Sequence, residues 1–230
     1  MPHEEEKQAA ARASLRFVRD GRVVGLGSGS TATYAIQYIG ERVKQGLEIR
    51  AIASSVRSRD LADSLGIPLT TLDESPQIDV YIDGADEFDP QLRLIKGGGG
   101  ALLREKILAS AAAQFVVIAD SSKQVQVLGT FPLPVEIVPF AQPVVSRTIE
   151  RLGARVTLRK YAYGNPYTTD EGHQILDCRF GEIADPARLA GQLKEIPGIV
   201  EHGLFIDMAA VVLVANGERV TELRRDQRAC

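Results

Sequence analysis

Val23-Val24-Gly25-Leu26-Gly27-Ser28-Gly29-Ser30-Thr31 carries the chain from a short apolar strand, through a corner with three glycines, into a helix that runs to about Gln45. The alternation spreads outward from there. An amphipathic helix occupies residues 3 to 19 ahead of it. A strand from Ile49 to Ala53 and a helix from Val56 to Leu65 follow, then strands at Leu69 to Leu72, Val80 to Ile82 and Leu92 to Ile95. A helix from about Gly100 to Ala113 leads into Phe115-Val116-Val117-Ile118-Ala119, an apolar run that reads as a strand buried on both faces. Strands and helices taking turns predict an open, mostly parallel α/β sheet of Rossmann-like type, with crossover helices on both faces.

The texture changes between Gly129 and Pro143, where Pro132, Pro134, Pro139 and Pro143 punctuate short apolar runs. Beyond that point the order is strand (135 to 138), helix (144 to 152), strand (155 to 159), a turn at Asp170-Glu171-Gly172, strand (175 to 180), helix (186 to 195) and strand (199 to 204). This βαββαβ order predicts a smaller ferredoxin-like α+β domain. Asp185 before Pro186 is an N-cap followed by proline at the first helical position. A hairpin over residues 209 to 221, with Asn216-Gly217 at its turn, is expected to rejoin the first sheet. The predicted division is therefore residues 1–130 with 206–230, and residues 131–205.

A chain of 230 residues that is 44% hydrophobic can bury one or two cores. The net charge of −3 and the scattered Lys and Arg, clustered only modestly at Arg224, Arg225 and Arg228, lack the basic stripe of a nucleic-acid binder. The start, Met1-Pro2-His3-Glu4-Glu5-Glu6, has no apolar signal core, and no run approaches the ~20 apolar residues of a membrane span, so the expectation is cytoplasmic. Cys178 and Cys230 suit a reducing compartment, with Cys178 a small core residue. His3, His173 and His202 show no ligand spacing and read as surface or turn residues, so neither metal nor cofactor is expected.

The Gly25 to Thr31 corner places backbone N–H groups and a helix dipole where a phosphate could sit. A dinucleotide fingerprint would need glycine where Ser30 stands, and a Walker A loop would need a lysine before Ser30 or Thr31. The ordinary alternative is a turn capped by Ser30. Asp83-Gly84-Ala85-Asp86-Glu87 emerges at a strand's C-terminal end, where open α/β sheets bind ligands. Lys96 also ends a strand, so an ammonium and two carboxylates are expected to converge on one edge of the same sheet, a setting suited to proton work. Lys96-Gly97-Gly98-Gly99-Gly100 then exposes bare backbone. Glu105 is expected one and a half turns into the next helix; flanked by Arg104 and Lys106, it could equally be a solvated surface charge. Lys123 follows another strand and could bring positive charge to the same edge.

Taken together, these segments resemble the A-type ribose-5-phosphate isomerases, from Gly25 to Ala32, Asp83 to Glu87, Ile95 to Lys106, Ala119 to Lys123 and Phe131 to Glu136, in family order over essentially the whole chain. The resemblance implies an aldose–ketose isomerase of the non-oxidative pentose phosphate pathway, interconverting ribose 5-phosphate and ribulose 5-phosphate through an enediolate without a metal. It implies Glu105 as the proton-transferring base. Ser28, Gly29, Ser30, Thr31, Asp83, Gly84, Ala85, Asp86, Lys96, Gly97, Gly98, Gly99 and Lys123 would hold substrate, with Asp83, Asp86 and Lys96 assisting the chemistry. Lys7 falls where the family places a phosphate-proximal lysine, although the helix around it matches weakly. His173 stands where the family pattern has asparagine. A homodimer or homotetramer, with the small domain as interface, is the expected assembly, and neither nucleic acid nor membrane is an expected partner. Two other readings are a non-catalytic phosphosugar sensor and a CoA-transferase-like enzyme with a glutamate nucleophile on the same sheet.

Overall fold

Three glutamates at the positive end of a helix, Glu4, Glu5 and Glu6, open α1 (Glu4–Ser14), which buries Ala10 and Ala11; a short 3₁₀ turn, Leu15–Phe17, ends it. The computed structural model describes residues 3–225, so Arg228 and Cys230 lie outside the described residues. In chain order there follow β1 (Arg22–Leu26), α2 (Ser30–Lys44), β2 (Ile49–Ala53), α3 (Val56–Ser64), β3 (Val80–Asp83), β4 (Glu87–Phe88), β5 (Leu94–Ile95), α4 (Leu102–Ala111) and β6 (Phe115–Asp120). Next come β7 (Leu133–Ile137), α5 (Gln142–Arg151), β8 (Arg155–Leu158), β9 (Gln174–Arg179), α6 (Pro186–Lys194), β10 (Ile199–His202), β11 (Leu204–Phe205), β12 (Val211–Asn216) and β13 (Arg219–Arg224).

These elements form two compact units. Among the described residues the first holds 3–85, 104–124 and 207–225, and the second holds 86–103 and 125–206. Relative to the predicted division, residues 86–103, 125–130 and 206 fall with the second unit.

The first unit is built on a six-stranded sheet in the order β13-β12-β6-β3-β1-β2, parallel except where β13 turns back on β12. The chain leaves β1 for β2 on one side and returns to β3 on the other. The C-terminal ends of β1 and β3 thus flank a topological switch point, where such sheets open a crevice. On one face Val24, Leu26, Val80, Ile82, Val116, Ile118 and Leu213 pack with Ala35, Ile36 and Ile39 of α2 and with Ala10 and Ala11 of α1. Burying a side chain such as Ile36 or Ile39 contributes roughly 1.5–3 kcal/mol. That exceeds the ~0.7 kcal/mol range of ordinary helix propensities, so packing decides where α2 lies. On the other face Tyr81 and Phe115, both fully buried, stack with ring centroids 4.8 Å apart. β6 is buried along its whole length, as its sequence predicts. The hairpin does rejoin this sheet, but Asn216 pairs with Arg219, so Gly217 and Glu218 make the turn.

The second unit contains a four-stranded antiparallel sheet ordered β10-β7-β9-β8. With α5 after β7 and α6 after β9, this is the βαββαβ ferredoxin-like arrangement the sequence predicts. The Asp185 carboxylate accepts from the Arg188 N–H at 3.0 Å and caps α6. A three-stranded sheet, β11-β5-β4, belongs to the same unit.

Three expected elements differ. Leu69 makes a single bridge to Ala51, and the turn that brings the Ser75 N–H to the Thr71 carbonyl follows at once, leaving no room for a strand over 69 to 72. Leu92 sits at φ +58° in a turn organised by Asp89, whose carboxylate accepts from the N–H groups of Gln91 and Arg93. The strand after it shrinks to β5, which pairs antiparallel with β4 and β11 and is not part of the parallel sheet. Gly100, at φ +85°, delays α4 until Leu102, which puts Glu105 in its first turn.

Candidate active site

In the first unit the head of α2 begins on Gly29, at φ +95°, and no side chain caps it among the described residues. The first-turn N–H groups of a helix have no partner within the helix, so those at Ser30 and Thr31 present a positive edge. Ser30 is exposed and Thr31 is nearly buried. Ser30 is not the cap.

Ser28 turns the other way. Its N–H donates to Asp83 Oδ1 at 2.9 Å, and its hydroxyl meets Ser54 and Ser55 at 2.8 Å and Ser58 at 3.2 Å. Ser58 in turn donates to the Gly27 carbonyl at 2.6 Å. Asp83, wholly buried at the end of β3, also accepts from the Gly84 N–H at 2.7 Å, while its Oδ2 accepts from the Tyr81 hydroxyl. The corner's glycines answer to this packing. A Cβ at Gly25 would stand 2.6 Å from the Tyr81 ring, and one at Gly27 would stand 2.1 Å from Asp83 Oδ1.

Glu105 is 3% exposed, although Arg104 and Lys106 flank it. The solvated reading is therefore excluded. Glu105 lies in the first turn of α4. Burial, then the negative charges of Asp83 and Glu105, push the Tyr81 phenol well above its ordinary range, so it stays a protonated donor. Lys123 lies in the 3₁₀ turn Ser121–Lys123 at the C-terminal end of β6. Glu6 accepts from the Ser121 N–H and hydroxyl at 3.0 and 2.8 Å and from the Gly217 N–H at 3.0 Å. It thereby pins the start of α1, and Lys7 with it, at the ends of β6 and β12. The Lys7 ammonium is 3.9 Å from Glu4. Ala85 closes this part of the unit.

In the second unit Asp86 and the glycine run are tied together. The Asp86 N–H donates to the Ile95 carbonyl at 2.8 Å, and Asp86 Oδ2 accepts from the Gly98 N–H at 2.7 Å. Lys96 is 3% exposed, with its ammonium 5.6 Å from the centre of the Phe205 ring. It follows β5, so the expected convergence of Asp83, Asp86 and Lys96 on one edge of the parallel sheet does not hold: Asp83 ends a strand of one sheet and Lys96 a strand of another. Gly97 is buried, while Gly98 and Gly99 are exposed.

Sequence reasoning missed the residues that hold these loops. Arg159 donates to the Gly97 carbonyl at 2.8 Å and is itself held by Asp177. Tyr167 packs where a Cβ on Gly100 would fall. Neither stands near a motif. Tyr81 precedes Asp83 by two residues in a strand, which puts both on one face, and that signal was available.

Of the histidines, His3 contacts Glu6 at 2.9 Å and His173 contacts the buried Glu136 at 3.0 Å. His202 is buried at the end of β10, so the surface reading fails there. His3, Glu6 and Asp120 bring three possible ligand atoms within 4.8 Å of one another, yet Glu6 and Asp120 already accept from Ser121, Gly217 and Ser122. Cys178 is buried, which pushes its thiol upward.

Residues 50–219 match the family described as ribose 5-phosphate isomerase A (phosphoriboisomerase A). Over 225 residues the chain is 52% identical to a ribose-5-phosphate isomerase A of Synechococcus sp., covering 96% of this chain and 98% of that protein. A ribose 5-phosphate isomerase A structure from Methanocaldococcus jannaschii superposes with TM-score 0.93 at 40% identity, covering 96% of this chain and 99% of that one. A D-ribose-5-phosphate isomerase solved in complex with phospho-erythronic acid superposes with TM-score 0.94 at 40% identity, covering 98% and 100%.

Proposed function

Because the chain belongs to the ribose 5-phosphate isomerase A family, and so isomerises ribose 5-phosphate and ribulose 5-phosphate, we propose that Glu105 is the base that carries the proton between the two sugar carbons. The observation that carries this reading is a carboxylate 3% exposed, on the first turn of a helix, near a buried Tyr81 and Asp83. In the open-chain aldose Glu105 takes the proton from C2, leaving an enediolate, and returns it to C1. The hydroxyl proton leaves O2 and O1 gains one. A single base on one face of the sugar serves both transfers.

Charge that develops on O1 and O2 calls for fixed donors. The Lys96 ammonium and the N–H groups of Gly97 and Gly99 are our assignment, with Gly98 shaping the loop through its bond to Asp86. Asp83 and Asp86 accept substrate hydroxyls and assist opening of the furanose ring, with Gly84 and Ala85 shaping the loop between them. The phosphate is assigned to the uncapped head of α2 at Gly29, Ser30 and Thr31, with Lys123 and Lys7 supplying charge. Ser28 is assigned to hold that loop, since its N–H and hydroxyl already have partners within the protein. Binding energy from the phosphate positions the distant reacting carbons. The relative solved with phospho-erythronic acid supports a phosphorylated sugar chain as the occupant.

We further assign the chain to the cytoplasm, in keeping with a family of sugar-phosphate metabolism, and to a homodimer or homotetramer. Exposed Val138, Phe140 and Val144 on the ferredoxin-like unit support the oligomer.

The test follows ribulose 5-phosphate formation from ribose 5-phosphate in excess chelator. Full activity in chelator and a loss of about 10²–10⁴ in Glu105→Gln are expected. Full activity in Glu105→Gln would overturn the assignment of the base, and activity that needs an added divalent ion would overturn the metal-free steps.

A further inference from the structure

The first unit contains a hydrogen-bonded cluster around Asp83 that includes Tyr81, to which the assigned steps give no role. Ser28 N–H donates to Asp83 Oδ1, and Tyr81 donates to Asp83 Oδ2. Ser54 lies beside the Tyr81 hydroxyl, and its own hydroxyl meets that of Ser28 at 2.8 Å. Ser54 and Tyr81 are fully buried. Ser55, the cap of α3, and Ser58 in its first turn brace Ser28 and lie 2.9 Å from each other. The surroundings of Tyr81 leave its hydroxyl little choice of partner. β1 presents Gly25, with no side chain, and β6 presents the Phe115 ring. The titratable groups that face it are Asp83 from its own strand and Glu105 from α4.

We propose that Tyr81 is a positioning residue for the isomerisation: its hydroxyl, with Ser54 beside it, fixes the orientation of Asp83, and through Asp83 and Ser28 it sets the loop at the head of α2. This rests on the assignment of Asp83 to the substrate. Removing a donor from a buried carboxylate makes its charged form less favourable and raises its pKa. The acid limb of activity should therefore move to higher pH when the hydroxyl is lost.

The experiment compares pH profiles of kcat/KM, kcat and KM, together with melting temperature, for Tyr81→Phe, Ser54→Ala and Phe115→Leu. Tyr81→Phe keeps the stacked ring. It should lower kcat by about 10- to 100-fold, the range for a hydrogen bond to a charged group, and shift the acid limb upward. Ser54→Ala should shift the limb the same way by less, and it carries the test should the first variant fold poorly. Phe115→Leu, which disturbs packing alone, should lower the melting temperature without moving the limb. An unmoved limb in both hydroxyl variants, or an equal shift in Phe115→Leu, overturns the proposal. In an Asp83→Asn background Tyr81→Phe should add less than about threefold, because partners in one network are non-additive. An undiminished effect there would show that Tyr81 does not work through Asp83, whereas full activity in Asp83→Asn alone would sink the role of Asp83 itself.

Discussion

A methyl group added at Gly99 would meet no atom within 4 Å, whereas one added at Gly98 would stand 2.5 Å from Asp86 Oδ1 and one at Gly100 would stand 2.2 Å from the Tyr167 hydroxyl. The fold thus requires glycine at some positions of the run and not at Gly99, where close approach of substrate is the remaining reason. Gly99→Ala is expected to keep or slightly raise the melting temperature while kcat/KM falls about tenfold or more. Gly27→Ala, pressed against Asp83, should cost about 1–3 kcal/mol of stability, read from urea unfolding. An active Gly99→Ala would argue against substrate at that backbone. The four glycines are plain in the sequence. Which of them the fold needs is not, because Asp86, Phe131 and Tyr167 reach them from other segments. Glu105 shows the same limit, since its type and neighbours read as surface and only the folded chain buries it.

At the scale of elements, α1 depends on Glu6. The Gly217 N–H, followed by the groups of Ser121 and His3, holds this carboxyl down from the usual 4.5 to about 2, against the opposing effect of burial. A depressed folded-state pKa contributes stability that is fully present above about pH 4.5 and is lost as pH falls towards 2. Urea midpoints of the parent and Glu6→Gln should differ at pH 6 and converge towards pH 2; a gap independent of pH would contradict the linkage. Long periodic elements such as α2, β6 and the hairpin were legible, because apolar spacing and turn residues agree locally. β5 and the start of α4 were not. Each is set by a residue at positive φ: Leu92 in a turn that Asp89 organises, and Gly100 against Tyr167.

For the whole molecule, the ferredoxin-like order could be read from the succession of elements because each helix follows a strand it can pack on. The allotment of residues 86–103 could not, since strand pairing between β5 and β11 joins segments more than a hundred residues apart. Phe140, 95% exposed, gives the proposed assembly its test. Phe140→Asp should leave the fold intact and lower the mass measured by light scattering; an unchanged oligomer would move the interface elsewhere. The Glu6 clasp on Gly217 has one more consequence. It fastens the first helix to the turn of the last hairpin, so these two distant stretches of chain should come loose as one. In Glu6→Gln, amide hydrogen exchange should quicken at Ser121 and Gly217 together while β6 keeps its protection; unchanged exchange at Gly217 would show that the clasp holds nothing.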